Sequence, residues 1–203
     1  MRRTREQLAQ ENRAAVLDAA RRNFERNGFH GAALDAIADE AGFSKGVVYS
    51  QFGSKDELML AVLEQNIERR HIAMRTRFER GEAPAHPTEL ARIAIRESVA
   101  TVAWQAALLE FRCHAWRHPD LNRRYQELHA RTIANLAGLL ELMFTSHGEV
   151  PPVPPIELAR LGLAAGNGAV AEFMADPSLD LETVARAFGS GMVAALSQRT
   201  GDP

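Results

Sequence analysis

Apolar residues recur at helical spacing along most of this chain. The clearest instance lies between Gly28 and Leu58. Leu34, Ile37, Ala38 and Ala41 repeat every three to four residues, which predicts a short helix with one buried face. Gly42 stands where that helix needs a left-handed C-terminal residue, a backbone conformation that glycine reaches without steric penalty. Ser44 is then expected to cap a second short helix over residues 45–51, its hydroxyl accepting from an amide of the first turn. Val48 and Phe52 turn inward from that helix and leave Lys45, Gly46, Val47, Tyr49 and Gln51 outside. Ser54-x-x-Glu57 has the form of a capping box and predicts the start of a longer helix.

The same pattern organises the flanks. Ala15, Val16, Ala19, Ala20 and Phe24 form an apolar stripe, so a helix is expected from about residue 5 to Asn27-Gly28. With Phe29, Leu34, Ile37, Phe43, Val48 and Phe52 it makes a small core. A helix from Lys55 to about residue 80 carries Leu58, Val62, Leu63, Ile67, Ile72 and Met74 as its buried side, and Gly81 to Pro87 breaks it. Two helices are expected over 88–118, one over 121–146, and two more over 156–175 and 181–197. Pro119, a proline-rich loop from Gly148 to Pro155, and Asp176-Pro177 separate them. No β-branched run is bounded by turn signals, and the chain reads as all-α.

Two short helices joined by a glycine turn, the second bearing a small polar outer face, form a helix-turn-helix. In such a unit the second helix enters the major groove of DNA. The charge distribution fits weakly. The chain carries a net charge of −2, yet residues 1–55 hold nine Lys/Arg against seven Asp/Glu, and both lysines of the chain, Lys45 and Lys55, fall in or beside the motif. Phosphate attraction favours such a bias, although a charged helix face is more often simply solvated. The basic residues 1–5 read as a solubilising tail or as an arm that follows DNA into the adjacent groove.

The run Ile37-Ala38-x-x-Ala41-Gly42-Phe43-Ser44-x-Gly46, followed by Tyr49-x-x-Phe52-x-Ser54-Lys55-x-x-Leu58, resembles the tetracycline-repressor (TetR-type) family of bacterial regulators. The resemblance is specific over residues 12–62. It implies an all-helical homodimer with an N-terminal three-helix DNA-binding domain, residues 1–54, and a C-terminal helical ligand-binding and dimerisation domain, residues 55–203. Three positions depart from the usual pattern. Ala32 and Ala33 replace the threonine near the start of the first helix of the motif, which leaves it a poorer cap. Val47 follows the recognition-helix glycine, and Gln51 precedes Phe52.

On this reading Ser44, Lys45, Gly46, Val47, Tyr49, Gln51 and Lys55 contact double-stranded DNA. Lys45 reaches a base edge or phosphate, Tyr49 and Lys55 hold phosphates, and Gly46 lets the backbone approach. Aromatic residues cluster from Trp104 to Trp116, and a mostly apolar cavity with a few polar groups is how small-molecule sites are built. Trp104, Phe111, Cys113, His114, Tyr125 and Met143 are therefore candidates to line an effector site, with core packing as the competing role of each. Small residues crowd the last two helices. Ala165, Gly166, Ala169, Gly189 and Met192 are assigned to the dimer interface, where close helix approach would offset the helix cost of glycine.

Other chemistry is set aside. The run Gly166-Asn167-Gly168 mimics a dinucleotide fingerprint but follows no strand. Cys113, His114 and His118 have metal-like spacing without a second cluster, so no metal and no cofactor are expected. No nucleophile elbow or phosphate loop occurs, and the chain does not read as an enzyme. A single cysteine fits a reducing cytoplasm, and neither a signal peptide nor a membrane span is apparent. The rival readings are a regulator that needs no ligand, an enzyme or carrier on a helix-turn-helix scaffold, and an architectural DNA protein.

Overall fold

The computed structural model describes residues 4–82, 84, 89, 93, 101–184, 186, 187 and 190. Among them the chain is all-α. Its helices are α1 (Arg5–Gly31), α2 (Leu34–Ala41), α3 (Lys45–Phe52), α4 (Lys55–Glu79), α5 (Val102–Trp116), α6 (Pro119–Ser146) and α7 (Pro155–Ala175). They divide into two compact units. The first draws on Met1–Arg69 and Ala103–Leu128, the second on Arg70–Val102 and His129–Pro203. The expected helix over 88–100 and most of the one over 181–197 lie outside the described residues.

α1 opens with a full capping box. The Thr4 hydroxyl accepts from the Gln7 amide and the Gln7 side chain accepts from the Thr4 amide. Two otherwise orphaned donors are thereby satisfied. Val16, Leu17, Ala19, Ala20 and Phe24 are buried, whereas Ala15, which the pattern placed on the stripe, is exposed. The helix does not stop at Asn27-Gly28 as expected. Gly28 interrupts it at φ 69° and ψ 177°, and one further turn runs to Gly31.

α2 begins at Ala33 with no side-chain cap, in keeping with the missing threonine, and ends at Gly42 in the left-handed conformation, φ 77°. The Gly42 and Phe43 amides close onto the carbonyls of Asp39 and Ala38, a Schellman-like end. Ser44 occupies the N-cap position of α3 with extended backbone, but its hydroxyl accepts no amide. The exposed side chain makes no cap, and it is the Ser44 backbone carbonyl that meets the start of the helix, accepting from the Val47 amide at 3.0 Å. Ser54 does accept from the Glu57 amide at 3.2 Å. The Glu57 carboxylate turns instead to Arg124.

The core of the first unit is larger than the sequence pattern anticipates. Phe24, Phe29, Ile37 and Val48 are fully buried together with Leu58, Met59 and Val62 of α4 and Phe111 of α5. The α5 face is made by Ala107, Leu108, Phe111 and Ala115, which recur at helical spacing. Phe29 stacks at 6.1 Å on Phe24 and meets Phe111 edge-on at 5.1 Å. The helix-turn-helix therefore shares its core with α4, α5 and the start of α6.

The second unit has its own cluster: Ile133, Leu140, Met143 and Phe144 of α6 with Leu158 and Ala159 of α7, joined by Met74 and Phe78. Ile72, expected on the buried side of α4, is 54% exposed. Two residues along a helix turn the side chain by about 200°, so a helix that packs the half-buried Met74 against this cluster sends Ile72 outward.

Candidate nucleic-acid interface

The face presented by α3 follows from its two anchors. Val48 and Phe52, four residues apart, point into the core and hold one side of the helix. Ser44, Lys45, Gly46, Val47, Tyr49, Ser50 and Gln51 are all exposed. Two of them are large and partly apolar, Val47 at 38% and Tyr49 at 48% exposure. The Phe52 ring is capped by the Arg13 guanidinium at 4.7 Å. A Cβ added at Gly46 would meet no atom within 4 Å, so the fold itself does not require glycine there.

Charge is arranged around this face. Lys45 pairs with Asp35 of α2, and that hydrogen bond holds its ammonium above the ordinary lysine range. Both side chains are about half exposed, so the pair adds little stability, but it parks a cation on the outer face. Lys55 behaves differently. Its ammonium donates to the carbonyls of His30 and Ala32, each at 3.0 Å, and stands over the Phe29 ring at 4.8 Å. Two of its three donors are thus engaged by the α1–α2 connection.

Glu40 of α2 ties the motif back to α1 by pairing with Arg26 and Arg22. The Arg26 hydrogen bond, with Arg22 adding to it, holds the Glu40 carboxyl below its ordinary 4.5. A depressed carboxyl stabilises the fold above its unfolded pKa, and that stability is lost as pH falls through the lowered value. Glu40→Gln should therefore lower the urea midpoint at pH 7 by the equivalent of about 0.5–1 kcal/mol, discounted for solvent screening. As pH falls through the lowered Glu40 value, wild type and variant should converge. A difference that persists there would assign the loss to packing rather than charge.

The other sequence candidates are dispersed. Trp104 and Phe111 are buried in the core of the first unit, Trp104 under the Arg21 guanidinium at 5.0 Å. Tyr125 packs edge-on to Phe111 at 5.9 Å and accepts from Arg112 at 2.6 Å. His114 lies 3.3 Å from Asp56 and 4.3 Å, ring to ring, from His118. Cys113 is exposed. Met143 is buried in the second unit. Among the described residues no group of three or more His, Cys, Asp and Glu is arranged to hold a metal ion. No described helix is long and apolar enough to cross a membrane.

Of the assigned interface residues, Ala165 and Gly166 are half-buried and Ala169 is buried, while Gly189 and Met192 lie outside the described residues. A Cβ added at Gly162, Gly166 or Gly168 would meet no atom within 4 Å. Among the described residues, then, no atom packs closely against the glycines of α7.

Sequence reasoning missed Glu110, whose carboxylate accepts from the His30 amide at 3.0 Å. Its partner is backbone, so no residue pattern advertises the contact. It also missed the α1 cap, although Thr4-x-x-Gln7 is a readable signature.

Residues 16–62 match the model of bacterial regulatory proteins of the tetR family. Over 58 residues the chain is 48% identical to the transcriptional activator FasR of Mycolicibacterium smegmatis, covering 29% of this chain and 26% of FasR. Over 131 residues it is 31% identical to the regulator BetI of Brucella suis, covering 64% of this chain and 66% of BetI. The chain thus spans under two thirds of the length of either relative. In fold it resembles the transcriptional regulator FadR of Bacillus subtilis, solved with stearoyl-CoA. That likeness has a TM-score of 0.64 at 19% identity, covering 88% of this chain and 98% of FadR.

Proposed function

We propose that this chain, which belongs to the tetR family of bacterial regulatory proteins, is a DNA-binding transcriptional regulator that represses from a pseudo-palindromic operator. The observation that carries this reading is the outer face of α3, a set of side chains left exposed by the inward Val48 and Phe52 anchors. Two copies would place their α3 helices in successive major grooves, about 34–36 Å apart. Lys45 exchanges Asp35 for a base edge or phosphate. Tyr49 holds a phosphate, Ser44 and Gln51 add backbone contacts, and Val47 offers an apolar contact in the groove. Lys55 keeps one ammonium hydrogen for a phosphate while holding the α1–α2 connection. The proposed division of labour gives DNA reading to residues 1–54 together with Lys55 at the boundary, and dimerisation and effector response to the rest of residues 55–203.

Homodimerisation is supported by the open α7 glycines, because a second helix can approach a surface that lacks Cβ atoms. Ala165, Gly166 and Ala169, with Gly189 and Met192, are the proposed contacts. A small-molecule effector releases the protein, and its leverage equals the difference in its affinity for the DNA-bound and free states. Trp104, Phe111, Cys113, His114 and Tyr125 of the first unit stay as proposed effector contacts, and Met143 stays as a separate candidate within the second unit. FadR holds stearoyl-CoA, so a long-chain acyl-CoA belongs in the first panel of effectors tested. The reading involves no catalysis, cofactor or membrane, and it places the protein in the cytoplasm.

Two experiments test it. Purified protein incubated with sheared DNA from its source organism should retain one or a few pseudo-palindromic sites, bound by two protomers. Uniform or absent retention, with and without the effector panel, would overturn the reading. Gly46→Ala separates binding from folding. It should stabilise the chain by about 0.5–1 kcal/mol, since helix glycine is unfavourable and space is open, yet weaken operator binding about tenfold by blocking close backbone approach. A variant that is more stable and binds equally well would remove Gly46 from the interface.

A further inference from the structure

The break in α1 is built around a carboxylate from another helix. At Gly28 the backbone takes φ 69° and ψ 177°, and the next turn aims the His30 amide at Glu110 of α5, 3.0 Å from Oε2. A Cβ at Gly28 would stand 2.5 Å from Oε1 and 2.8 Å from Oε2 of the same carboxylate, so glycine is what leaves room for it. The other side of the same peptide segment is held as well. The carbonyls of His30 and Ala32 accept from Lys55 of α4, whose ammonium rests on the Phe29 ring. That ring packs on Phe111, the neighbour of Glu110. Residues 28–32 are therefore gripped by an anion on their N–H side and a cation on their C=O side. Leu34 begins α2 two residues later, and α2 leads through the Gly42 turn to α3.

We infer that Glu110 is a positioning residue for the recognition helix. By accepting from the His30 amide it sets the direction in which α2 leaves α1, and through the α2–α3 turn the angle at which α3 is offered to DNA. The inference rests on the DNA-binding reading and adds a residue far from α3 in sequence, outside the motif that resembles the family. Its chemistry gives the test an unusual sign. Glu110 is an anion, and removing an anion from a DNA-binding unit should raise affinity for phosphates on charge alone. Loss of a positioning acceptor should lower it.

The test compares Glu110→Ala with Glu110→Gln, which keeps an acceptor oxygen but drops the charge. Operator affinity is read on a fragment recovered in the pull-down, across a salt series, and amide hydrogen exchange is followed over residues 28–41. Glu110→Ala should weaken binding about tenfold, the loss of one charge-assisted hydrogen bond, with an unchanged salt slope. Its His30 amide and the α2 amides should exchange faster. Glu110→Gln should stay within about threefold of wild type and keep slow exchange, since a neutral acceptor replaces most of the bond. Equal or tighter binding by Glu110→Ala would overturn the inference, as would an equal loss in both variants. If the wild-type chain binds no DNA, the regulatory reading fails on its own. Unchanged His30 exchange in Glu110→Ala would then still refute the positioning contact, and faster exchange confined to the alanine variant would support it.

Discussion

Phe111→Ala is expected to destabilise the first unit by about 3–5 kcal/mol, the range for truncating a buried phenylalanine. The reason lies in where the ring sits. It is fully buried, meets Phe29 edge-on at 5.1 Å and meets Tyr125 at 5.9 Å. Its removal would leave a cavity walled by α1 and α6 rather than a gap that solvent can fill. Domains of this size are stable by only about 5–15 kcal/mol, so the loss would consume a large part of the total. Operator binding should fall with it, although Phe111 lies far along the chain from α3. Urea unfolding followed by tyrosine and tryptophan fluorescence gives the stability, and operator titration gives the binding. A midpoint within the error of wild type would mean that α5 is not part of this core.

The second large effect is expected at Gly28. A backbone at φ 69° and ψ 177° is in a region that side-chain-bearing residues avoid, at roughly 1–3 kcal/mol. Gly28→Ala adds a contact at 2.5 Å to the Glu110 carboxylate, which must swing away and abandon the His30 amide. Two losses are thereby coupled. In a cycle with Glu110→Ala the double variant should be more stable than the sum of the singles predicts, by about 0.5–2 kcal/mol, because the displaced carboxylate is already gone. The backbone strain should remain. Strict additivity in urea unfolding would show that Glu110 moves aside without loss, and the contact would then matter little.

These two sites mark where sequence reasoning stopped. The helix-turn-helix was legible because its signals are local. Leu34, Ile37 and Ala38 are buried at the expected spacing, Gly42 adopts the left-handed end, and Val48 and Phe52 anchor α3. Each of these depends on residues within one or two helical turns. The missing cap at Ala33 was also legible, because a cap needs a side-chain oxygen at one position. Ser44 was not, since the right residue at a cap position need not point its hydroxyl at the amides.

Longer-range roles were not legible. Lys55 looked like a phosphate ligand because it opens a helix beside α3. The structure turns two of its hydrogens onto carbonyls from 23 and 25 residues away. Backbone carbonyls are identical in every residue, and no pattern marks which one a lysine will find. Trp104 and Phe111 carry two readings in the sequence, effector lining or core packing, and only the structure shows that both reach the core that also supports α1 and α2.

From the sequence alone came the all-α class, the helix-turn-helix with its register, and the set of α3 side chains that face outward. Hydrophobic periodicity determines which face of a helix is buried, and caps determine where it starts and stops. Only the tertiary structure decided what that face is buried against. It brought α5 into the core of the unit that holds the helix-turn-helix, placed Glu110 in the space that Gly28 leaves, and divided Met74 from Ile72 on one helix. The physical reason is that apolar burial is non-directional. A stripe of apolar residues specifies that a partner must exist, while packing across the whole chain selects which one.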